Sequence, residues 1–311
     1  MNSLVVVGGN SNPVLCEGIC KELGILQGQC HISRFSDGEI KVKINENVRG
    51  KDVFVVQPTC FPANDNIMEL LILIDALKRA SARRVTAVLP YFGYARQDRK
   101  DQPRVPITAK LIANILDRSG ADRVITVDLH AGQLQGFFDI PLDNLFAVRI
   151  FEQYFRFKNL TDIVIVSPDV GGIKTARAYA KRLNAGLAIV DKRRVNDVHA
   201  EAMHVMGNVE GKTVIMVDDI IATAGSIAEG ANALKANGAK DIYAAITHPV
   251  LCGPAIERLK AAPLKELVVT DTIPLSAEKK LGNITVLSVA GLLAEAIRRI
   301  HEERTISALF E

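Results

Sequence analysis

Short apolar runs of strand length alternate with apolar-periodic segments of helix length along almost the whole chain, and this cadence restricts the fold more than any other feature. Strands read from residues 4–7, 31–35, 40–44, 53–56, 85–89 and 124–127. Between them fall helices opened by Asn12-Pro13 and closed at Leu23-Gly24, then at 65–80 and 107–119. From Ile163 the cadence restarts, with strands at 163–166, 187–190, 214–217, 242–246 and 267–269, and helices running to Leu183, from Ser226 to Leu234, and over 254–260. Four consecutive apolar residues such as Val214-Ile215-Met216-Val217 fit a strand covered on both faces. The expectation is an α/β protein of two domains, 1–147 and 148–311, each with a mainly parallel sheet flanked by helices. A last amphipathic helix, about 290–304, could pack on either domain, including the N-terminal one.

The halves share local wording. Lys51-Asp52-Val53-Phe54-Val55-Val56 is echoed by Lys212-Thr213-Val214-Ile215-Met216-Val217, and Ala76-Leu77-Lys78 by Ala233-Leu234-Lys235. This reads as an internal duplication, against the alternative of two unrelated α/β domains. Lys+Arg 38 against Asp+Glu 35 is too even a balance to argue for nucleic acid or an acidic membrane surface. Five cysteines without a CxxC pair read as reduced thiols, not as a disulfide framework or a zinc site. No run approaches a membrane span and no leader precedes the first strand, so the expected location is cytoplasmic.

Loops at the carboxyl ends of parallel strands are where such folds bind ligands. The stretch Val217-Asp218-Asp219-Ile220-Ile221-Ala222-Thr223-Ala224-Gly225-Ser226 reads as strand, turn and helix start. The turn can aim backbone N–H groups and hydroxyls at an anion, while the two carboxylates can accept from vicinal hydroxyls. Together they describe a ribose 5-phosphate site; the plainer reading is a solvated strand end or a helix N-cap. Other strand ends are also chemically loaded. After Leu89 a basic, aromatic loop runs from Pro90 to Asp101, suited to adenine and polyphosphate, and after Val127 comes Asp128-Leu129-His130. A lone His is usually structural, but here it lies just beyond a strand. Asp169-Val170-Gly171-Gly172 follows another strand, with glycines that let N–H groups approach phosphate. Asp191-Lys192-Arg193-Arg194 opens what reads as a cationic loop, or else a solvated charged face.

Arg34-Phe35-Ser36-Asp37-Gly38-Glu39, Tyr94-Ala95-Arg96-Gln97-Asp98-Arg99, Asp128-Leu129-His130, Lys192-Arg193-Arg194 and Val217-Asp218-Asp219 occur in that order over the whole length. In this the chain resembles the ribose-phosphate diphosphokinases (phosphoribosyl diphosphate synthetases) of the phosphate-regulated type. The resemblance implies two duplicated phosphoribosyltransferase-like domains and transfer of the β,γ-diphosphoryl group of MgATP to the 1-hydroxyl of ribose 5-phosphate, leaving AMP. It implies ATP binding by Arg96, Gln97 and Asp101, with Phe35, Asp37 and Glu39 supplied by a neighbouring subunit, and Mg2+ at His130 and Asp169. Asp169, Val170, Gly171 and Gly172 would hold the diphosphate, Asp218 and Asp219 the ribose hydroxyls, and Thr223, Ala224, Gly225 and Ser226 the 5-phosphate. Lys192 and Arg194 would be the catalytic cations. Phosphate and ADP would act as effectors at Arg49, Ser81, Arg104, Gln135, Asp143, Asn144 and Ser307, in a homo-hexamer built from dimers. No nucleic acid or membrane partner is implied.

Two departures stand out. Ala222 lies where the family commonly has Asp, and Val195-Asn196-Asp197-Val198 differs from the family's loop. Two rival readings follow, a phosphoribosyltransferase and a catalytically silent regulatory homologue. A missing base-binding hood opposes the first, and intact His130, Asp169, Lys192 and Arg194 oppose the second.

Overall fold

The structure, a computed structural model, describes residues 4–194 and 201–309, with the backbone alone at positions 192–194, 201 and 202. Two compact units share the chain: unit 1 comprises residues 1–146, 272–274 and 288–311, and unit 2 residues 147–271 and 275–287.

Unit 1 begins with β1 (Leu4–Gly8), which is wholly buried, and α1 (Pro13–Leu23). The helix starts where sequence chemistry dictates: the Asn12 side chain accepts from the Leu15 N–H at 3.3 Å, Pro13 sets the first turn, and Gly24 ends the helix at φ 69°. β2 (Cys30–Arg34) and β3 (Ile40–Ile44) form a separate antiparallel hairpin. The main sheet continues with β4 (Asp52–Val56), α2 (Ala63–Arg79), β5 (Arg84–Leu89), α3 (Thr108–Arg118), β6 (Arg123–Val127) and β7 (Leu142–Leu145). Its order is β1-β4-β5-β6-β7, every pair parallel. Valines on β1, β4 and β5 pack against Leu70, Leu73, Ile74 and Leu77 of α2, the near-continuous apolar strands that helix-covered parallel sheets require.

Unit 2 contains α4 (Val148–Phe157), β8 (Ile163–Ser167), α5 (Ile173–Leu183), β9 (Gly186–Arg194), β10 (Glu201–Met206), β11 (Thr213–Ile221), α6 (Gly225–Ala236), β12 (Asp241–Pro249), α7 (Ala255–Ala261), β13 (Glu266–Thr270) and β14 (Ile284–Leu287). Strand order is β10-β9-β8-β11-β12-β13-β14, with β10 antiparallel at one edge and all other neighbours parallel. The chain moves outward from β8 to β9, then returns to the other side of β8 as β11. That reversal opens a crevice beyond the carboxyl ends of β8 and β11.

The α/β fold with parallel sheets is as expected, but several elements differ from the sequence reading. The cationic segment 191–194 is strand, not loop: β9 runs through it and pairs with β10, Lys192 opposite Met203 and Arg194 opposite Glu201. β11 runs four residues beyond Val217, because β12 continues its ladder through Asp218 opposite Ile246 and Ile221 opposite Pro249. β7, α4, β10 and β14 are not among the elements expected from the sequence. Leu142-Asp143-Asn144-Leu145 lacks an apolar run, and α4 buries only Phe151 and Phe155, one turn apart.

The last helix, α8 (Ala290–His301), belongs to unit 1. Its end is tied to β4 and β5 by a fully buried carboxylate. Asp52 accepts from Arg84 Nε at 2.8 Å and Nη2 at 2.5 Å, and lies 2.9 Å from His301 Nδ1. Arg84 Nη2 also donates to the Ile300 carbonyl at 3.1 Å. The hydrogen bond to Asp52 lifts the Arg84 pKa above its ordinary value. Removing one partner leaves the other ion buried and unpaired. Asp52→Ala is therefore expected to destabilise unit 1 by about 2–3 kcal/mol, lowering Tm by roughly 5–10 °C, and to speed amide exchange in α8; unchanged exchange there would contradict the anchoring role.

Candidate functional site

Two loops border the crevice of unit 2. The first follows β8: Ser167 is fully buried and its Oγ donates to the Asp169 carbonyl at 2.6 Å, while Asp169 Oδ1 accepts from the Gly172 N–H at 2.9 Å. A Cβ at Gly172 would lie 2.6 Å from Ser167 Oγ, so a side chain there would push that hydroxyl from its place on the Asp169 carbonyl. The Gly172 N–H expected to face a phosphate is thus engaged by the loop's own carboxylate, and Val170 and Gly171 are exposed.

The second loop follows β11, from the neighbouring position in the sheet. Asp218 and Asp219 lie in the last part of the strand, half-buried, with the Asp219 N–H donating to Asp218 Oδ1 at 2.9 Å. Ala224 is left-handed at φ 58° and buried, and α6 begins at the next residue with no side-chain cap. An uncapped helix start presents backbone N–H groups and positive dipole to an anion. The turn is held from behind by the Cys252 N–H on the Ala222 carbonyl (2.9 Å) and the Leu251 N–H on the Ile221 carbonyl (3.0 Å). Arg258 Nη1 donates to the Thr223 carbonyl at 3.0 Å.

Electrostatics separates the two ends of this loop. Burial, followed by the negative charges of Asp219 and Asp169, raises the Asp218 pKa from the usual carboxyl range to about 8. Asp218 and Asp219 therefore share a proton near neutral pH and present both donor and acceptor oxygens, a surface suited to vicinal hydroxyls.

The other residues singled out in the sequence fall as follows. In unit 1, Phe35, Asp37 and Glu39 occupy the exposed turn of the β2–β3 hairpin, with Lys41 Nζ 5.2 Å from the Phe35 ring centre and Asp37 Oδ1 accepting from the Glu39 N–H at 3.2 Å. Arg96, Gln97 and Asp101 are exposed beyond β5, Gln97 accepting from Thr108 Oγ1 at 2.5 Å, and His130 is exposed beyond β6. Among the described residues no group of three or more His, Cys, Asp or Glu is gathered as a metal cage. The side chains of Lys192 and Arg194, and all of 195–200, lie outside the described residues.

The expected effector residues all lie in unit 1. Asp143 pairs with Arg123, and buried Asn144 accepts from the Leu129 N–H at 3.0 Å. The Ser81 carbonyl accepts from the Gly50 N–H (2.9 Å) next to Arg49. Ser81 and Arg104 are left-handed at φ 65° and 66°. Gln135 Nε2 donates to the Gly132 carbonyl at 3.0 Å, and the Ser307 N–H donates to Thr305 Oγ1 at 3.2 Å. Sequence reading missed Arg258; its only signal is a cation on the helix following β12.

Comparisons with known proteins come from both ends of the chain and from its whole length. Residues 4–120 match the family model described as the N-terminal domain of ribose phosphate pyrophosphokinase, and residues 194–311 match the phosphoribosyl synthetase-associated domain. The chain is 56% identical over 310 residues to the ribose-phosphate pyrophosphokinase of Oceanobacillus iheyensis, covering 100% of this chain and 98% of that protein. It is 56% identical over 308 residues to that of Bacillus subtilis, covering 99% and 97%. The crystal structure of phosphoribosylpyrophosphate synthetase from Mycobacterium smegmatis superposes with a TM-score of 0.91 at 43% identity, covering 97% of this chain and 99% of that one.

Raising an acid's pKa in the folded state means that the folded protein binds more protons than the unfolded chain between about pH 4 and pH 8, so Asp218 makes stability fall as pH rises through that window. Asp218→Asn is expected to flatten this part of the profile and to make the ligand-free protein more stable above pH 8 by about 2 kcal/mol, after discount for partial solvent exposure. Thermal melts from pH 4 to 9 check this, and identical slopes in both proteins would contradict it.

Proposed function

The chain belongs to the ribose-phosphate pyrophosphokinase family, and we propose that ribose 5-phosphate sits in the unit 2 crevice, its hydroxyls on Asp218 and Asp219 and its 5-phosphate on Thr223 to Ser226. The protein is an enzyme that transfers the β,γ-diphosphoryl group of ATP to the 1-hydroxyl of ribose 5-phosphate, giving 5-phosphoribosyl 1-diphosphate and AMP. One observation carries the sugar assignment: an aspartate pair and an uncapped, glycine-containing helix start stand at opposite ends of one short loop, at the point where strand order reverses.

In the reaction the sugar's 1-oxygen bonds to the β-phosphorus of ATP as the bond from that phosphorus to the α,β-bridging oxygen breaks, and the 1-hydroxyl proton leaves to solvent. Transfer of this kind is governed by positioning and by neutralisation of spreading negative charge, with no covalent enzyme intermediate. Asp218 and Asp219 fix the ring by its hydroxyls, and the α6 N–H groups fix it by its phosphate. We assign ATP to Arg96, Gln97 and Asp101, with Phe35, Asp37 and Glu39 of a neighbouring subunit, and the diphosphate to Asp169–Gly172. Lys192 and Arg194 are the assigned cations for the transferring group, the arginine able to fork onto two oxygens and the lysine to follow as a point charge.

The acidic loops also fit a hard divalent cation. Asp169 offers carboxylate oxygen, and its charge is felt at Asp218, so further oxygen ligands stand near it. We assign Mg2+ ligation to Asp169 in unit 2 and, separately, to His130 in unit 1; a metal held by either would neutralise phosphate oxygens. Phosphate and ADP as effectors at the unit 1 residues named above, a hexamer built from dimers and a cytoplasmic location complete the proposal. Among the described residues no helix is long and apolar enough to cross a membrane.

Purified protein with MgATP is expected to form AMP and 5-phosphoribosyl 1-diphosphate in equal amounts only when ribose 5-phosphate is added, and to stop when the metal is chelated. Sugar binding without AMP would identify a silent homologue. Ala222→Asp restores a carboxylate beside a backbone already held by Cys252, and a fall in KM for ribose 5-phosphate or for the metal is expected of it; unchanged kinetics would show that position 222 does not tune the site.

A further inference from the structure

We propose that Arg258 is a positioning residue for ribose 5-phosphate, holding the 223–226 turn from α7 and laying a positive charge beside it so that the turn receives the sugar's phosphate. This rests on the assignment of the unit 2 crevice as the sugar site.

Three observations support it. Arg258 Nη1 is 3.0 Å from the Thr223 carbonyl, and the same nitrogen would be 3.3 Å from a Cβ placed on Gly225. The guanidinium therefore lies along the turn itself, in space that a side chain at 225 would crowd. Its base is firmly set: Ala255 and Leu259 of α7 are buried in the unit 2 core, and residues 251 and 252 donate to the carbonyls of Ile221 and Ala222. The ionisable groups that perturb one another in the crevice are the carboxylates Asp218, Asp219 and Asp169. An anion approaching the turn meets these charges and the negative end of the Thr223 carbonyl dipole. A guanidinium donating to that carbonyl covers the repulsive lone pair and adds a charge of the right sign within a few ångströms of the helix start. The left-handed Ala224 then leaves the N–H groups at the start of α6 to the ligand.

The test compares wild type, Arg258→Gln and Arg258→Lys as full-length proteins, by calorimetric binding of ribose 5-phosphate and by KM for each substrate over a range of salt. Loss of the charge-assisted hydrogen bond that holds the turn, together with the positive charge beside it, corresponds to roughly 10–100-fold in affinity. Arg258→Gln is expected to weaken sugar binding and raise its KM by that factor, far more than the KM for ATP, and to make sugar binding less sensitive to salt. Arg258→Lys, which keeps the charge, should recover most of the salt sensitivity and part of the affinity. Equal affinity of wild type and Arg258→Gln for the sugar, or a parallel rise in both KM values, would overturn the proposal. Wild-type protein that binds the sugar but makes no AMP would instead overturn the assigned reaction and leave the role of Arg258 to the calorimetry.

Discussion

A parallel strand can be followed by another parallel neighbour only through a crossover, and the hand of the crossover leaves the chain a choice of which side to build on. In unit 2 the chain uses both sides of β8, β9 on one and β11 on the other. The helices that follow β8 and β11 consequently diverge, and the loops between strand and helix face a shared crevice. The chemistry placed there is of two kinds: carboxylates at the end of β11, and backbone N–H groups at the start of α6. Unit 1 follows a different rule, since its sheet runs β1-β4-β5-β6-β7 without a reversal. Its assigned nucleotide residues accordingly sit on an antiparallel hairpin and on loops after β5 and β6, not in a switch-point crevice.

Placing two aspartates a few residues from a turn proposed to bind an anion is costly unless charge is managed. Asp218 manages part of it by keeping its proton to about pH 8, with burial as the main cause and the neighbouring carboxylates as the second. In the proposed assignment, a divalent cation or a pair of sugar hydroxyls would relieve the same crowding. At the other end of the loop Arg258 covers the Thr223 carbonyl, so the two ends of one strand-to-helix connection carry opposite electrostatic character. The polar ends of a sugar phosphate have the same arrangement, hydroxyls at one side and an anion at the other.

Much of this was legible in the sequence because it depends on local pattern. Val214–Val217 announces a buried strand, and Thr-Ala-Gly-Ser marks a turn into a helix. What was illegible depends on partners far away in the chain. Asp218 and Asp219 belong to β11 only because β12 extends the ladder past Val217, and Lys192 to Arg194 form strand only because β10 pairs with them. The contact of Arg258 with Thr223 is a geometric fact for which spacing offers no sign. Asp52, which the sequence shows only as part of the repeated Lys51-to-Val56 stretch, anchors a helix 249 positions later through His301.

A crystal structure of the protein with ribose 5-phosphate would fix where the sugar lies and which way it points. The 5-phosphate is expected on the N–H groups of the 223–226 turn, beside Arg258, with the ring hydroxyls within hydrogen-bond distance of Asp218 and Asp219. A sugar bound in the reverse orientation, or elsewhere than beyond β8 and β11, would contradict it.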